Sequence, residues 1–114
     1  MLLKPGEKIH VITRRYFDGD LRRHFAGQVV AASESLARVR GYTFVFYPGS
    51  NEYVRRLELR ERIIALGDAG NIVNVIPENV NLEELVYRPS DQNRLVVTDR
   101  KSFSLDINEF SGIS

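Results

Sequence analysis

The chain has 114 residues, of which 43% are hydrophobic and 27% are charged, as in an ordinary globular protein. This composition excludes a disordered chain, and the absence of cysteine excludes a disulfide framework and a thiolate metal site. Because no apolar run is long enough for a signal peptide or a membrane span, we expect one cytoplasmic domain over residues 1–114 that has no membrane contact.

The net charge is only +1, but it is unevenly distributed. Residues 1–62 hold 12 Lys and Arg against 7 Asp and Glu, whereas residues 63–114 hold 4 against 8. Arginine dominates the basic half, and a guanidinium group binds phosphates and carboxylates through two parallel hydrogen bonds. The basic half therefore suits either an external anion or the acidic half of the same or a neighbouring chain.

Turn signals at near-even spacing separate short β-type segments, which predicts consecutive antiparallel hairpins. The first hairpin joins residues 7–17 to 20–33 through Asp18-Gly19, a pair typical of a type I′ turn. A two-residue turn fixes the register. It places Arg15 opposite Arg22 and Arg14 opposite Arg23, and each of these like-charge pairs needs an anion to offset its repulsion.

Residues 36–47 alternate cleanly and predict a strand with a bend or bulge at Gly41. Both faces of this strand turn apolar beyond Gly41. We therefore expect that end to be buried on both sides or to lie under an oligomer contact, and polar substitutions at Val45 and Tyr47 to favour the monomer.

Residues 53–66 have high helix propensity, but their apolar positions form no continuous helical stripe, and the flanking turns favour a strand. Residues 71–76 predict another strand, which Pro77 closes. One short helical turn is expected near 79–86, and residues 94–98 and 102–107 predict a last hairpin. The fold class is therefore all-β, an antiparallel meander of about seven strands that curls into a small barrel, because closure removes exposed edges.

The arginine cluster and two neighbouring aromatic residues form the candidate site for an anion or a nucleic acid. Its members are Arg14, Arg15, Arg22, Arg23, Arg38, Arg40, Tyr16 and Phe17. The alternative is internal neutralisation by Asp18, Asp20, Glu7 or the acidic half. Further aromatic residues either stack on unpaired bases or fill the core: Phe25, Tyr42, Phe44, Phe46, Tyr47 and Tyr53.

Catalytic chemistry has weak support. Asp18, Asp20 and His24 offer two carboxylates and an imidazole, but their spacing matches no known metal motif and is also explained by a turn aspartate beside a surface histidine. Asp99 is best explained as a turn residue. No nucleophile elbow, phosphate-binding loop or dinucleotide fingerprint is present, so we expect no metal and no cofactor.

The sequence therefore predicts a non-enzymatic binding module that self-associates or binds a protein partner. A nucleic-acid-binding barrel that uses the arginine cluster is the second interpretation, and an enzyme with the Asp/His site is the third. The predicted architecture resembles small RNA-binding barrels of the Sm and OB kinds, a likeness of fold alone.

Overall fold

The computed structural model describes residues 2–14, 22–47, 49–50, 52–68, 70–92 and 94–107. The chain divides into two compact units, Met1–Glu78 and Asn79–Ser114. The single domain expected for residues 1–114 stays a prediction. In the part of the chain that the structure describes, no helix has the length and apolar character needed to cross a membrane.

The described part of the first unit is a six-stranded sheet in which every pairing is antiparallel, so the all-β class is confirmed. Its strands are β1 (Lys8–Thr13), β2 (Arg23–Ala32), β3 (Leu36–Tyr47), β4 (Glu52–Arg55), β5 (Arg60–Ala65) and β6 (Asn71–Ile76). The strand order is β4-β3-β2-β1-β6, and β5 pairs with β3 beside β4.

The predicted register of the first hairpin is wrong by one residue. Thr13 lies opposite Arg23 and Ile12 opposite His24, so Arg14 does not face Arg23. A two-residue turn at Asp18-Gly19 would place Thr13 opposite His24, so the observed ladder does not have the register of that turn. Arg15 and the turn pair Asp18-Gly19 lie outside the described residues.

Residues 53–66 form strands, as predicted, but not one continuous strand. Phe44 lies opposite Arg55, whereas Gly41 lies opposite Arg60, so two extra residues loop out between β4 and β5. The loop exposes the Leu57 side chain almost completely, at 92%. Both short strands therefore pair with the same edge of the long strand β3.

The sheet coils tightly where two glycines lie opposite each other. Gly27 of β2 faces Gly41 of β3, and a Cβ atom at Gly41 would lie 2.0 Å from the carbonyl oxygen of Ala26. Side chains are thus excluded here so that the two backbones can approach closely. The register shift between β2 and β3 falls between Val29 and Ala31, and not at Gly41 as the sequence predicted.

The sheet curls enough to bring its two opposite edges together at one corner. β5 and β6 are edge strands on opposite sides, yet the Asn71 side chain donates to the Ala65 carbonyl at 3.0 Å. The Arg14 backbone N–H donates to the Gly70 carbonyl at 2.7 Å, which extends the β1–β6 pairing beside this corner. Among the described strands no β5–β6 ladder forms, so the meander is curled without the full closure of the predicted barrel.

An apolar core lines the inner face of the curled sheet. It is built from alternate residues of β1, β2 and β3, because residues two apart on a strand share one face. Its members are Ile9, Val11, Phe25, Val29, Ala37 and Val39.

The second unit holds a 3₁₀ turn at Leu82–Glu84, inside the segment where a helical turn was predicted. Three strands follow in the order β7-β8-β9: β7 (Val86–Pro89), β8 (Leu95–Thr98) and β9 (Ser104–Asp106). The last hairpin is thus confirmed in its position. Asp99 is its turn residue, and its carboxylate accepts the Lys101 and Phe103 backbone N–H groups at 2.9 and 3.0 Å. These hydrogen bonds, chiefly that of Phe103, lower the Asp99 pKa.

Candidate anion-binding cleft

A cleft of about 860 Å³ opens on the inner face of the curled sheet in the first unit. The strand register places Phe25, Thr43 and Val45 on its floor, because these residues of β2 and β3 share the face that carries the core. Strand β5 supplies one wall. The volume falls in the range of roughly 300–1,000 Å³ that is usual for small-molecule sites.

Among the described residues, four arginines line this cleft: Arg23 from β2, Arg56 from the β4–β5 loop, and Arg60 and Arg62 from β5. Three carboxylates line it as well, those of Glu58, Glu61 and Asp68. Arg60 pairs with Glu58 at 2.8 Å. In the described part of the chain, the guanidinium groups of Arg23, Arg56 and Arg62 have no carboxylate within ion-pair distance. The cleft therefore carries cationic groups that its own carboxylates do not neutralise.

Two of these arginines are held in place by aromatic side chains. The Arg62 guanidinium carbon lies 5.8 Å from the ring centroid of Phe25, within cation–π range. Arg56 donates to the Tyr47 hydroxyl at 3.4 Å. Such contacts orient a guanidinium without neutralising its charge, which leaves it able to bind an anion.

The floor of the cleft contains an unsatisfied hydroxyl group. Thr43 is only 8% exposed, and its Oγ1 atom has no hydrogen-bond partner among the described residues. Leaving a buried polar group unpaired costs about 1–3 kcal/mol. Because the Oγ1 atom itself is buried from solvent, this cost belongs to the fold and is not recovered by a ligand in the cleft.

Two of the predicted site residues lie outside the cleft and bind a carboxylate of the same chain. Arg38 and Arg40 both pair with Glu61 of β5, at 3.2 and 3.1 Å. The hydrogen bonds from Arg40 and then Arg38 lower the Glu61 pKa. The charges of these two arginines are therefore paired within the chain, as the alternative interpretation expected. Their partner is Glu61, which was not among the neutralising carboxylates named from the sequence.

The remaining predicted site residues are scattered. Arg23 lines the cleft, Arg14 is exposed at the end of β1, and the Arg22 guanidinium carbon lies 5.9 Å from the Phe46 ring centroid. Arg15, Tyr16 and Phe17 lie outside the described residues, as do Asp18 and Asp20 of the predicted Asp/His site. Of the described members of the predicted cluster, only Arg23 lines the cleft.

His24 is buried, so its interpretation as a surface histidine is wrong. It is 5% exposed, its ring centroid lies 5.1 Å from that of the buried His10, and its Nε2 atom is 3.5 Å from the Tyr53 hydroxyl. Burial is the main cause that lowers the pKa of His10 to about 4 and that of His24 to about 3. Both imidazoles are therefore neutral at physiological pH.

The apolar end of β3 is buried within a single chain. Phe44 on one face and Val45 on the other are 1% and 5% exposed, and β4 pairs along this end. Tyr47 is 37% exposed. The feature from which self-association was predicted is thus explained without an oligomer, and self-association stays a prediction.

Only part of the cleft was predictable from the sequence. One face of β5 carries Arg60, Arg62 and Ile64, which alternate along the strand. Which residues of β3 they lie opposite depends on the two residues that loop out between β4 and β5, and the sequence does not predict that loop. Thr43 carries no distinguishing signal, since its missing hydrogen-bond partner emerges only from packing.

No cluster of three His, Cys, Asp or Glu side chains suited to a metal ion occurs in the part of the chain that the structure describes. No protein-family model, curated protein or solved structure matches the chain. The geometry of the cleft is therefore the basis for any statement about function.

Proposed function

We propose that this protein is a non-enzymatic binding module that captures an anionic ligand in the cleft of its first unit. The observation that carries the proposal is the group of cleft arginines, of which Arg23, Arg56 and Arg62 have no carboxylate partner among the described residues. Holding several like charges together is unfavourable, and an anion that bridges them offsets this cost. The described cleft residues include no hydroxyl or thiol nucleophile hydrogen-bonded to a base, which favours binding over catalysis.

The cleft predicts specific losses of anion affinity when its arginines are removed. We expect inorganic pyrophosphate to bind the wild-type protein at low salt. Arg23→Ala and Arg62→Ala should each weaken this binding about tenfold or more, because a charge-assisted hydrogen bond contributes about 1.5–3 kcal/mol. Isothermal titration calorimetry on the full chain measures both affinities directly.

Arg88→Ala provides the matched control. Arg88 is an exposed arginine of β7 that does not line the cleft, so its removal changes the net charge by the same amount. We expect pyrophosphate affinity to change less than twofold in this variant. Equal losses in Arg88→Ala and Arg23→Ala would show a general charge effect and contradict the cleft as the site.

A single-stranded nucleic acid is the second candidate ligand, because arginines also lie over aromatic rings on the other face of the sheet. The Arg22 and Arg55 guanidinium carbons lie 5.9 and 5.0 Å from the ring centroids of Phe46 and Tyr42. Phe46 and Tyr42 are half-buried. Aromatic and arginine side chains in this arrangement are typical of surfaces that bind unpaired bases.

The two candidates differ in their dependence on salt. Binding to labelled single-stranded RNA or DNA, followed by fluorescence anisotropy, should weaken steeply with salt if several phosphates are bound. Each lost phosphate contact should reduce the slope of log K against log salt by about 0.7 for single strands. If the face that carries Phe46 and Tyr42 binds the nucleic acid, we expect Arg22→Ala and Arg55→Ala to reduce the slope in this way. Absence of saturable binding at low salt would eliminate the second candidate.

A further inference from the structure

Strand β6 has one edge that pairs with β1 and one edge that lies at the end of the sheet. No strand in the described part of the chain pairs along that outer edge. Natural sheets usually protect such an edge with charged residues or proline inside the strand. Asn71–Ile76 contains neither, and the Val75 side chain is 60% exposed. The outer edge of β6 is therefore suited to pairing with another strand.

The hydrogen-bond pattern shows which backbone groups lie on this edge. The Arg14 N–H donates to the Gly70 carbonyl, at the next step of the β1–β6 register. Residues of an antiparallel strand point their N–H and C=O groups alternately toward and away from the neighbouring strand, so Val73 and Val75 point theirs away from β1. The Asn71 N–H also points away from β1, and it donates to a carbonyl of the preceding loop at 3.0 Å. Val73 and Val75 therefore present their N–H and C=O groups along the outer edge.

The sequence of β6 reads the same in both directions about Asn74. Its central residues, Ile72-Val73-Asn74-Val75-Ile76, form a palindrome. When two such strands pair antiparallel with a two-fold axis at Asn74, Val73 of each copy lies opposite Val75 of the other. Ile72 then lies opposite Ile76 and Asn74 opposite Asn74, so each side chain meets one of the same chemistry. The same register lets each pair of valines exchange two backbone hydrogen bonds.

We propose that the protein forms a symmetric homodimer in which two β6 strands pair antiparallel about Asn74 and join the two sheets. This inference is independent of the cleft and its ligand. A second copy fits the edge because it supplies both the complementary backbone groups and the matching apolar side chains. The net charge of only +1 produces little repulsion between copies. A two-fold interface uses the same surface of both copies, so this pairing stops at the dimer.

Sedimentation equilibrium of the full chain measures the association. One pair of short strands buries a small interface, so we expect a mass of 13.1 kDa near about 1 μM and twice that mass near about 1 mM. Val75→Lys should weaken dimerisation about tenfold, because it places a positive charge beside the axis in both copies. Val30→Lys is the matched control: Val30 is also an exposed valine, but its strand β2 has β1 and β3 on its two sides. Dimerisation of this control should equal that of the wild type.

A cysteine substitution tests the register. The chain contains no cysteine, so one introduced thiol reports on one position. At the proposed axis, the two copies of residue 74 form a non-hydrogen-bonded pair with Cα atoms about 4.5 Å apart, within the range for a disulfide. Asn74→Cys should therefore form a disulfide-linked dimer on mild oxidation, resolved by non-reducing electrophoresis. Val75→Cys should not, because its two copies lie diagonally, about 7–8 Å apart.

A mass of 13.1 kDa at every concentration would overturn the proposal. Equal dimerisation of Val75→Lys and the wild type would place the contact elsewhere and overturn it as well. Failure of folded Asn74→Cys to cross-link, or stronger cross-linking of Val75→Cys, would contradict the pairing about Asn74. Thermal midpoints of the variants, measured at low concentration, show that each is folded. The two tests use different positions, so each remains decisive if a variant of the other does not fold.

Discussion

Acidification from pH 7 to pH 5 is expected to lower the free energy of unfolding by about 4 kcal/mol, because two buried histidines must stay neutral in the folded protein. Burial lowers the pKa of His10 from 6.5 to about 4 and that of His24 from 6.5 to about 3. Below pH 6.5 the unfolded chain binds protons at both sites and the folded chain does not. Stability is therefore fully present above pH 6.5 and is lost as the pH falls. Urea denaturation at half-unit pH intervals measures the loss.

The histidines and the carboxylates affect the free energy of unfolding in different pH ranges. Glu61 and Asp99 also have lowered pKa values, but their ordinary values are 4.5 and 3.8, so their contribution is lost mainly below about pH 4.5. Between pH 6.5 and pH 5, protonation of the two described histidines therefore accounts for most of the change in the free energy of unfolding with pH.

His24→Gln provides the control for this prediction. Its side chain stays neutral at every pH, so the dependence of stability on pH should fall to about half of the wild-type value, whatever the variant does to absolute stability. A wild-type unfolding midpoint that did not change between pH 7 and pH 5 would contradict the buried, neutral state of both rings.

Substitution of Gly41 by alanine is expected to destabilise the protein by about 3 kcal/mol or more. The added Cβ atom would lie 2.0 Å from the Ala26 carbonyl oxygen and 2.4 Å from the Gly27 Cα atom. Both are backbone atoms of the neighbouring strand, so the contact is relieved only if β2 and β3 separate. A loss of this size should lower the thermal midpoint by more than about 10 °C in a domain of this length.

Gly67→Ala is the control, since nothing lies within 4 Å of a Cβ atom built there. Its thermal midpoint should stay within a few degrees of the wild-type value. Accumulation of Gly41→Ala in the insoluble fraction, with Gly67→Ala soluble, would agree with the prediction. Equal midpoints for the two variants would show that the strands separate at little cost, and would contradict the tight coil inferred at this position.

Local sequence patterns predicted the strands well where alternation was clean. Residues 36–47 form a strand with the predicted bounds, as their alternation indicated. Residues 71–76 do so as well, because a short run rich in Ile and Val lies between turn residues and Pro77. The register between strands was harder to predict. The first ladder is shifted by one residue from the register that a two-residue turn at Asp18-Gly19 would give.

The candidate site was less predictable, because it depends on which strands meet. Arg38 and Arg40 were placed in the candidate anion-binding cluster, but they pair with Glu61, which faces them only through the two-residue offset between β4 and β5. His24 was interpreted from the sequence as a surface histidine beside a turn aspartate. Long-range packing against His10 and Tyr53 buries it instead, and a sequence pattern confined to one strand does not contain that information.

The loop between β4 and β5 also bears on how the protein resists aggregation. An uninterrupted outer strand paired along all twelve residues of β3 would offer a long, regular row of N–H and C=O groups to a strand from another molecule. Here that outer position is divided into strands of four and six residues, offset by two residues, and the longer strand begins with the exposed charges of Arg60, Glu61 and Arg62. An incoming strand would lose its register at the loop and meet charged side chains beyond it. The loop that makes the strand register hard to predict from the sequence therefore also hinders edge-to-edge pairing with a strand of another molecule.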